Sequence, residues 1–170
     1  MIRRLLFLTL IAAVIALALR TFVVEGIYVA SASMEPTLRV GTFLFLDKAS
    51  YRFRAPRHGE IVVFPSPVDG RKDLIKRIVA LGGDTLEIRD KRVYLNGKKL
   101  DENYVQYTRS QERLMGDDLG PFTVPEGMAF VMGDNRDESG DSRDWKDPVT
   151  GNPIYFIALT AVKGRILQLN

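Results

Sequence analysis

The feature of this sequence that most constrains its fold is an apolar run near the N-terminus. The run Leu5–Leu19, LLFLTLIAAVIALAL, is apolar on every face, and Thr9 is its only polar residue. A bilayer needs about 20 helical residues, and the following Arg20–Val24 supplies the length that the run lacks. The sequence therefore predicts a transmembrane anchor over residues 1–24 and a second domain over residues 25–170.

Basic residues set the predicted orientation of this anchor. Arg3 and Arg4 precede the apolar run, and arginines beside a membrane span are retained on the cytoplasmic side. Arg20 then lies at the outer interface, where its long side chain reaches the lipid headgroups. We predict a single-pass protein of the cell (inner, cytoplasmic) membrane, with a cytoplasmic N-terminus and an extracytoplasmic domain.

A removable signal peptide is the alternative interpretation of the same run. Ala30-Ser31-Ala32 has the small-x-small pattern of a cleavage site. The segment Arg20–Ala32, which includes the charged Glu25, separates the apolar run from that site, whereas a cleavage region normally follows directly. This spacing favours an uncleaved anchor, and self-cleavage after Ala32 stays open as a hypothesis.

The composition excludes several chemistries. Arg3, Arg4 and Arg20 account for the whole net charge of +3, so the remainder of the chain is neutral and we predict no nucleic-acid partner. The absence of cysteine excludes disulfides and thiol catalysis. The single histidine, His58, lies in a predicted solvated turn, and no HExxH zinc motif is present. We therefore expect neither a metal nor a cofactor.

The remaining sequence predicts a mainly β fold, an antiparallel β-sheet or barrel-like domain behind a single N-terminal transmembrane helix. Short apolar segments alternate with Gly, Pro and Asp, and no long window keeps a helical period. Asp90-Lys91 predicts a hairpin, Asn96-Gly97 a second reversal, and Asp101–Gly120 an extended loop or flap. The predicted strands are Thr42–Leu46, Glu60–Phe64, Leu74–Leu81, Thr85–Arg89, Arg92–Asn96, Met128–Met132, Ile154–Leu159 and Gly164–Leu169.

A buried lysine is the base that this composition leaves for a serine hydrolase. Lysine accepts a proton only when neutral, and burial among apolar groups lowers its pKa by several units. Strand alternation predicts that Leu74, Ile78 and Ala80 share one face with Lys76. A lysine on an exposed strand edge shows the same pattern, so the pattern alone leaves both interpretations open.

Two other segments carry hydroxyls and carboxylates that suit such a site. Pro36 predicts a bend soon after Ser33, which can present the serine hydroxyl to a cleft. The segment Gly133–Arg143, GDNRDESGDSR, lacks the ligand spacing of a calcium loop and predicts an ion-paired loop instead. In that loop Arg136 and Arg143 offer partners for Asp134, Asp137 or Asp141, and Ser139 can hold an amine in place.

Taken in order along the chain, these motifs resemble those of type I signal peptidases, the membrane-bound serine proteases that remove signal peptides from exported proteins. The matching segments occur in the family's order and are distributed over nearly the whole chain. They are the anchor with Arg20–Val24, Ser31–Leu38, Arg57–Phe64, Ile75–Val79 with Gly83-Asp84, and Val131–Arg143. The resemblance implies a Ser–Lys dyad, with Ser33 as nucleophile and Lys76 as general base. It also implies an oxyanion hole formed by the Ser33 N–H and the Ser31 hydroxyl.

The resemblance assigns supporting roles as well. Ser139 matches the residue whose hydroxyl orients the lysine, and Asp141 with Arg143 matches a supporting ion pair. Positions lining shallow pockets for small side chains match Val29, Ala30, Met34, Leu38 and Ile75. The implied substrate is a signal-peptide-bearing preprotein, cut after a small-x-small motif while extended beside the Lys76 strand.

The sequence departs from the family pattern at a few places. Ala30 stands where proline is usual, Ala32 where glycine or aspartate is usual, and Gly82 where the turn has proline. The segment Asp144–Pro153 replaces a short Trp-Gly-aromatic-Val-Pro run and has no predicted role. Two alternatives remain: a self-cleaving Ser–Lys protease, and a membrane-tethered β-domain without activity, which a serine-directed acylating agent would not label.

Overall fold

The structure, a computed structural model, describes residues 2–167 and begins with an apolar helix. Helix α1 spans Ile2–Phe22, has a mean hydropathy of 2.4 over its most apolar 18 residues, and is long and apolar enough to cross a membrane. Its polar Thr9 donates its hydroxyl to the Leu5 and Leu6 carbonyls, so the helix itself satisfies that group. The prediction of one N-terminal apolar helix is confirmed. Val24, predicted as the last anchor residue, instead begins the first strand.

Eleven strands follow within the described residues and form two antiparallel sheets. The larger sheet has the order β1-β2-β11-β3-β4-β9-β10, and the smaller sheet has the order β7-β6-β5-β8. The prediction of a mainly β, antiparallel domain is confirmed. The strands are β1 (Val24–Tyr28), β2 (Phe43–Asp47), β3 (Ile61–Pro65), β4 (Asp73–Leu81), β5 (Thr85–Arg89), β6 (Arg92–Leu95), β7 (Lys98–Lys99), β8 (Leu119–Thr123), β9 (Met128–Met132), β10 (Ile157–Ala158) and β11 (Gly164–Ile166).

The turn residues form reversals where the sequence predicts them. Asp90 and Lys91 adopt φ values of 48° and 65° at the tip of the β5–β6 hairpin, the left-handed geometry of a two-residue turn. Asn96-Gly97 makes the next reversal, between β6 and β7, also with positive φ. The predicted flap contains no strand or helix until β8 begins at Leu119.

Several segments differ from the prediction. The strands β1, β7 and β8 are absent from the predicted set, and β1 forms because it pairs along its whole length with β2. The predicted strand Ile154–Leu159 reduces to the two residues of β10, and a 3₁₀ turn over Leu159–Ala161 follows. The last predicted strand ends at Ile166, and its final two predicted residues, 168 and 169, lie outside the described part of the chain.

A β-bulge changes the predicted faces of β4. Ile78 pairs with Val131 and Ala80 with Phe130, so Val79 is an extra residue opposite β9. Such an insertion reverses the alternation beyond it. Ala80 was predicted on the Lys76 face, but it packs with Val79 in a different core cluster from Ile78. The residues before the bulge, including Lys76, keep the predicted alternation.

Apolar clusters on the two sides of the large sheet support the site. One cluster contains Val29, Met34 and Leu38 from the segment after β1, packed on β2, β3 and β11. A second lies on the other side, where Phe64, Ile78 and Trp145 pack together. Because β3 and β4 are central strands with nearly continuous burial, side chains projecting from them are held in a rigid frame.

Candidate active site

Ser33 lies on a short 3₁₀ turn that follows β1. The turn spans Ala32–Met34 and ends at Glu35, whose extended backbone is the conformation that Pro36 imposes on the preceding residue. Met34 is fully buried and fixes the turn to the core, while Ser33 itself is 6% exposed. As the second residue of the turn, Ser33 has an N–H with no partner inside it, so that donor is free for another acceptor.

Lys76 projects from the middle of β4 to the Ser33 hydroxyl. Its backbone pairs with Val62 on β3, and its side chain is 3% exposed. The Lys76 Nζ lies 2.7 Å from the Ser33 Oγ, although 43 residues separate the two in sequence. The structure therefore brings together the predicted nucleophile and the predicted base in direct hydrogen-bond contact.

Burial changes the protonation of Lys76. Removal from water lowers the pKa of the Lys76 amine from 10.5 to about 8, and the nearby positive charge of Arg143 acts in the same direction. The carboxylate of Asp141 opposes the shift but does not cancel it. About a tenth of the amine is then neutral at pH 7, and a neutral amine can accept the proton of a serine hydroxyl.

Ser31 contributes a second hydroxyl beside the nucleophile. Its Oγ lies 3.2 Å from the Ser33 Oγ. Ser31 occupies the N-cap position of the 3₁₀ turn, yet its side chain makes no capping hydrogen bond. The hydroxyl is therefore available to a group bound at Ser33, next to the free Ser33 N–H.

The loop Gly133–Arg143 packs directly against the turn that carries Ser33. The Asn135 N–H donates to the Ser33 carbonyl at 3.1 Å. Within the loop, the Arg143 guanidinium donates to both oxygens of Asp141 at 2.8 and 2.9 Å, which forms the predicted ion pair. Asp141 is fully buried and also accepts from the Gly133 N–H at 3.0 Å, so its pKa stays below its usual value.

Ser139 is not in hydrogen-bond contact with Lys76 in this structure. Its side chain is buried, and its Oγ has no hydrogen-bond partner among residues 2–167. The hydroxyl instead lies against Gly133, where an added Cβ would overlap the Ser139 Oγ and the Ser33 carbonyl oxygen. Gly133 is therefore required by space, a constraint that no sequence pattern indicated.

Of the two arginines expected to pair inside this loop, Arg143 does so and Arg136 does not. Asp134 pairs with Arg77 of β4, at 2.8 and 2.6 Å, rather than with an arginine of the loop. Arg136 pairs with Glu102, and Asp137 pairs with Lys91 at 2.9 Å. Only the Asp141–Arg143 pair is internal, because the other carboxylates point outward to neighbouring segments.

Arg77 and Thr37 are site-supporting residues that the sequence analysis missed. Arg77 is 7% exposed, and the Asp134 carboxylate that it binds also accepts from the Thr37 hydroxyl at 2.5 Å. This network links β4, the loop and the segment after Ser33. The adjacent Lys76-Arg77 pair in an apolar strand was the available signal, because the second charge also needs a buried partner.

Most of the residues predicted to line substrate pockets lie together in one buried cluster. Val29, Met34 and Leu38 belong to a single buried cluster, and the half-buried Ile75 packs against it. Ala30, by contrast, is exposed beside Ser31. The cluster of Val29, Met34, Leu38 and Ile75 lies on the opposite side of β4 from Leu74, Phe64 and Trp145.

A cleft of about 380 Å³ opens at the Ser33–Lys76 contact. Trp145, the first apolar side chain of the segment Asp144–Pro153, forms one of its walls and packs edge-on against Phe64. That segment closes on itself through a bond from the Ile154 N–H to the Trp145 carbonyl. The cleft is lined by Ser31, Ser33, Ser66, Val68, Asp69, Lys72, Leu74, Lys76, Glu138, Gly140 and Trp145.

His58 lies outside this cleft. It is half-exposed in a turn and has Asp84 as a partner at 2.6 Å, which the sequence analysis did not anticipate. Across residues 2–167, no group of three His, Asp or Glu side chains is placed to hold a metal ion.

The fold and the site together define a class of protein. An apolar helix long enough to span a membrane leads into an antiparallel β-domain, and in that domain a serine hydroxyl contacts a buried lysine. This combination is that of a membrane-anchored protein with a serine–lysine site.

Comparison with known proteins identifies the family within that class. A family model described as "Signal peptidase, peptidase S26" matches residues 2–167, and the chain therefore belongs to this family. A probable signal peptidase I-2 of Synechocystis sp. is 45% identical over 140 residues, which cover 79% of this chain and 61% of that protein. A signal peptidase I of Bacillus licheniformis is 40% identical over 142 residues, which cover 79% of this chain and 74% of that protein.

A solved structure agrees with this assignment. The crystal structure of a signal peptidase I from Enterococcus faecalis matches with a TM-score of 0.51 and 32% identity, over 68% of this chain and 98% of the crystallised chain. The chain spans less than two thirds of the length of the Synechocystis relative.

Proposed function

We propose that this chain is a signal peptidase, a serine endopeptidase that removes N-terminal signal peptides from exported preproteins after small-x-small motifs. The observation that carries the proposal is the buried 2.7 Å contact between the Lys76 Nζ and the Ser33 Oγ. The name of the family and the names of its relatives support the same activity.

The chemistry begins with proton transfer from serine to lysine. The neutral Lys76 amine takes the Ser33 hydroxyl proton as the Ser33 Oγ bonds to the scissile carbonyl carbon. The carbonyl oxygen becomes an oxyanion, which the Ser33 N–H and the Ser31 hydroxyl stabilise as donors. The Lys76 ammonium then gives its proton to the departing amine, and the C–N bond breaks to leave an acyl-enzyme.

Water completes the cycle by the same route. Lys76, neutral again, removes a proton from water as the water oxygen attacks the acyl carbon, and the ester bond to Ser33 breaks. The serine recovers its proton from Lys76. In this scheme the Asp141–Arg143 pair holds the loop Gly133–Arg143, and the unpartnered Ser139 hydroxyl in that loop is the group that orients the amine once substrate is bound.

The substrate of this proposal is a preprotein lying extended along the cleft. Small side chains suit the site, because the small Ala30 beside Ser31 leaves the approach to Ser33 open, and the family resemblance assigns Val29, Met34, Leu38 and Ile75 to shallow pockets. Residues 1–24 would anchor the protein in the cell membrane with a cytoplasmic N-terminus. Residues 25–170 would then work on the extracytoplasmic side, with the lipid bilayer and preproteins as partners and without nucleic acid.

The proposal is tested with the full chain in detergent and one secretory precursor that has an Ala-x-Ala site. We expect wild type to release the mature protein, and Ser33→Ala and Lys76→Met to release none. Ser110→Ala and Lys98→Met, which remove a serine and a lysine at exposed positions, serve as matched controls and should cleave like wild type.

Two results would contradict the proposal. Cleavage that persists in Ser33→Ala or in Lys76→Met would remove that residue from the chemistry. If wild type does not cleave either, and a serine-directed acylating agent fails to label it, the chain is a binding domain with an inert serine. Cleavage of Ser33→Ala after Ala32, when wild type is added, would favour the self-cleaving alternative.

A further inference from the structure

The carboxylate of Asp137 is a buried charge of the loop Gly133–Arg143, and its partners lie outside that loop. Its side chain has no exposed surface. It accepts from the Lys91 Nζ at 2.9 Å and from the Arg109 backbone N–H at 2.7 Å. The Arg109 guanidinium donates to the backbone carbonyl of the same aspartate. Asp137 is thus held from the side of the smaller sheet.

Lys91 is placed for this contact by the tip of the β5–β6 hairpin. Its backbone has φ of 65°, a left-handed conformation that costs a residue with a Cβ about 1 kcal/mol or more. Glycine or asparagine is the usual residue of such a turn. Lysine occupies the position here, and its N–H, its carbonyl and its ammonium are all bonded, to Asp117, Tyr107 and Asp137 respectively.

The neighbouring bonds extend the same contact along the predicted flap. The Lys91 Nζ also donates to the Arg109 carbonyl at 3.0 Å, so both residues that hold Asp137 are bonded to each other. The flap and the loop Gly133–Arg143 are also joined by two backbone bonds. The Gln106 N–H donates to the Asp134 carbonyl, and the Arg136 N–H donates to the Gln106 carbonyl. Arg136 and Glu102 form a buried ion pair beside them.

The loop held in this way is the one that contacts the serine. Asn135, two residues before Asp137, donates to the Ser33 carbonyl at 3.1 Å, and Ser139, two residues after it, is buried against Gly133, which the Ser33 carbonyl also approaches closely. A displacement of Asp137 therefore displaces both contacts. A misplacement of about 1 Å at a catalytic group can reduce the rate about 10²-fold.

We propose that Lys91 and Arg109 are positioning residues, which through Asp137 hold the loop Gly133–Arg143 in register against Ser33 and Lys76. This inference rests on the proposed peptidase function. The smaller sheet and the flap then take part in the reaction without touching substrate, as the outer support of the loop that carries Ser139.

The test compares Lys91→Met with Lys98→Met, which removes the same charge from an exposed position in the same sheet. Both are made in the full chain in detergent and assayed on the Ala-x-Ala precursor. We expect the kcat of Lys91→Met to fall about 10²-fold with a KM within twofold of wild type, and Lys98→Met to match wild type. Lys91→Arg, which keeps the charge and the reach, should restore most of the kcat.

A double variant separates positioning from a general loss of structure. If Lys91 acts through Asp137, the double variant Lys91→Met with Asp137→Asn should lose no more activity than Asp137→Asn alone. Urea unfolding followed by the fluorescence of Trp145 identifies any variant that does not fold. If Lys91→Met does not fold, positioning is judged from the activities of Lys91→Arg and Asp137→Asn, which keep the side-chain volumes.

Several outcomes would overturn the inference. They are a kcat for Lys91→Met equal to that of Lys98→Met, a change confined to KM, and additive losses in the double variant. These outcomes require an active wild type, so they differ from failure of the proposed function, in which wild type itself does not cleave.

Discussion

Replacing Lys76 by methionine should abolish activity and at the same time stabilise the protein. The folded pKa of about 8 lies below the unfolded value of 10.5, which means that folding disfavours the charged amine. A shift of this size corresponds to about 3 kcal/mol at pH 7. Methionine avoids that cost and loses the hydrogen bond to Ser33, worth about 1 kcal/mol. The net gain in the free energy of unfolding is therefore about 2 kcal/mol.

The pH dependence of this gain gives the sharper test. Between pH 8 and pH 10.5 the unfolded lysine binds more protons than the folded one, so the stability of wild type rises with pH across that window. Below pH 8 both states are charged and the full cost is present. The advantage of Lys76→Met should therefore be largest at pH 7 and should shrink by about 3 kcal/mol by pH 10.5.

The assay is urea unfolding of the full chain in detergent. Trp145 is the only tryptophan, is 8% exposed, and lies in the wall of the cleft, so its fluorescence follows the domain that contains the site. Wild type and Lys76→Met are compared at pH 7 and pH 10, since all other titrating groups cancel in the difference. A variant that is less stable than wild type at pH 7, or a difference that does not change with pH, would refute the reasoning from burial.

Further predictions concern activity, the second ion pair and topology. On the Ala-x-Ala precursor, kcat/KM should rise about tenfold per pH unit up to about pH 8 and then level off, and a flat profile from pH 6 to 9 would exclude Lys76 as the base. Ser31→Ala should lower kcat about 10²-fold with little change in KM, whereas Ser31→Thr should retain activity; equal rates for the two would remove the hydroxyl from the oxyanion hole. Arg77→Met leaves the buried Asp134 carboxylate unpaired and should lower the free energy of unfolding by about 3–5 kcal/mol in the Trp145 assay, and a loss below 1 kcal/mol would contradict the burial of that pair. Because the chain has no cysteine, a cysteine introduced at Lys98 should react in intact cells with a membrane-impermeant maleimide and one at Ile2 should not, and the opposite labelling would reverse the proposed orientation.

Local patterns predicted the parts of the fold that local forces determine. The helix follows from an apolar run, and the β5–β6 hairpin follows from alternation around Asp90-Lys91. The strand β1, VEGIY, was missed because its glycine and its short length give no local preference, and it exists through its pairing with β2. The bulge at Val79 is likewise a property of two strands and cannot be seen in one.

The candidate site divides in the same way. The family resemblance identified Ser33 and Lys76 as the nucleophile and the base. The two side chains lie in contact although 43 residues separate them. Reasoning from sequence proximity gave the wrong partner for Asp134, because the nearest arginines in the loop were favoured over Arg77, 57 residues away. A buried charge pairs with the opposite charge that the fold places beside it. Here the pairing of β4 with β9 places Arg77 beside Asp134.

The short connection between helix α1 and the sheet limits how far Ser33 can lie from the end of the helix. Only Val23 lies between the end of α1 and β1, and its carbonyl accepts from the Lys48 N–H at 2.9 Å, so the junction is not a free hinge. Ser33 follows Val23 by ten residues, a reach of no more than about 35 Å even for a fully extended chain. Under the proposed function, a substrate whose own apolar segment lies in the same bilayer would have to place its scissile bond within that height. The distance between apolar segment and cut, as well as the small residues at the cut, would then select the bond that is cleaved.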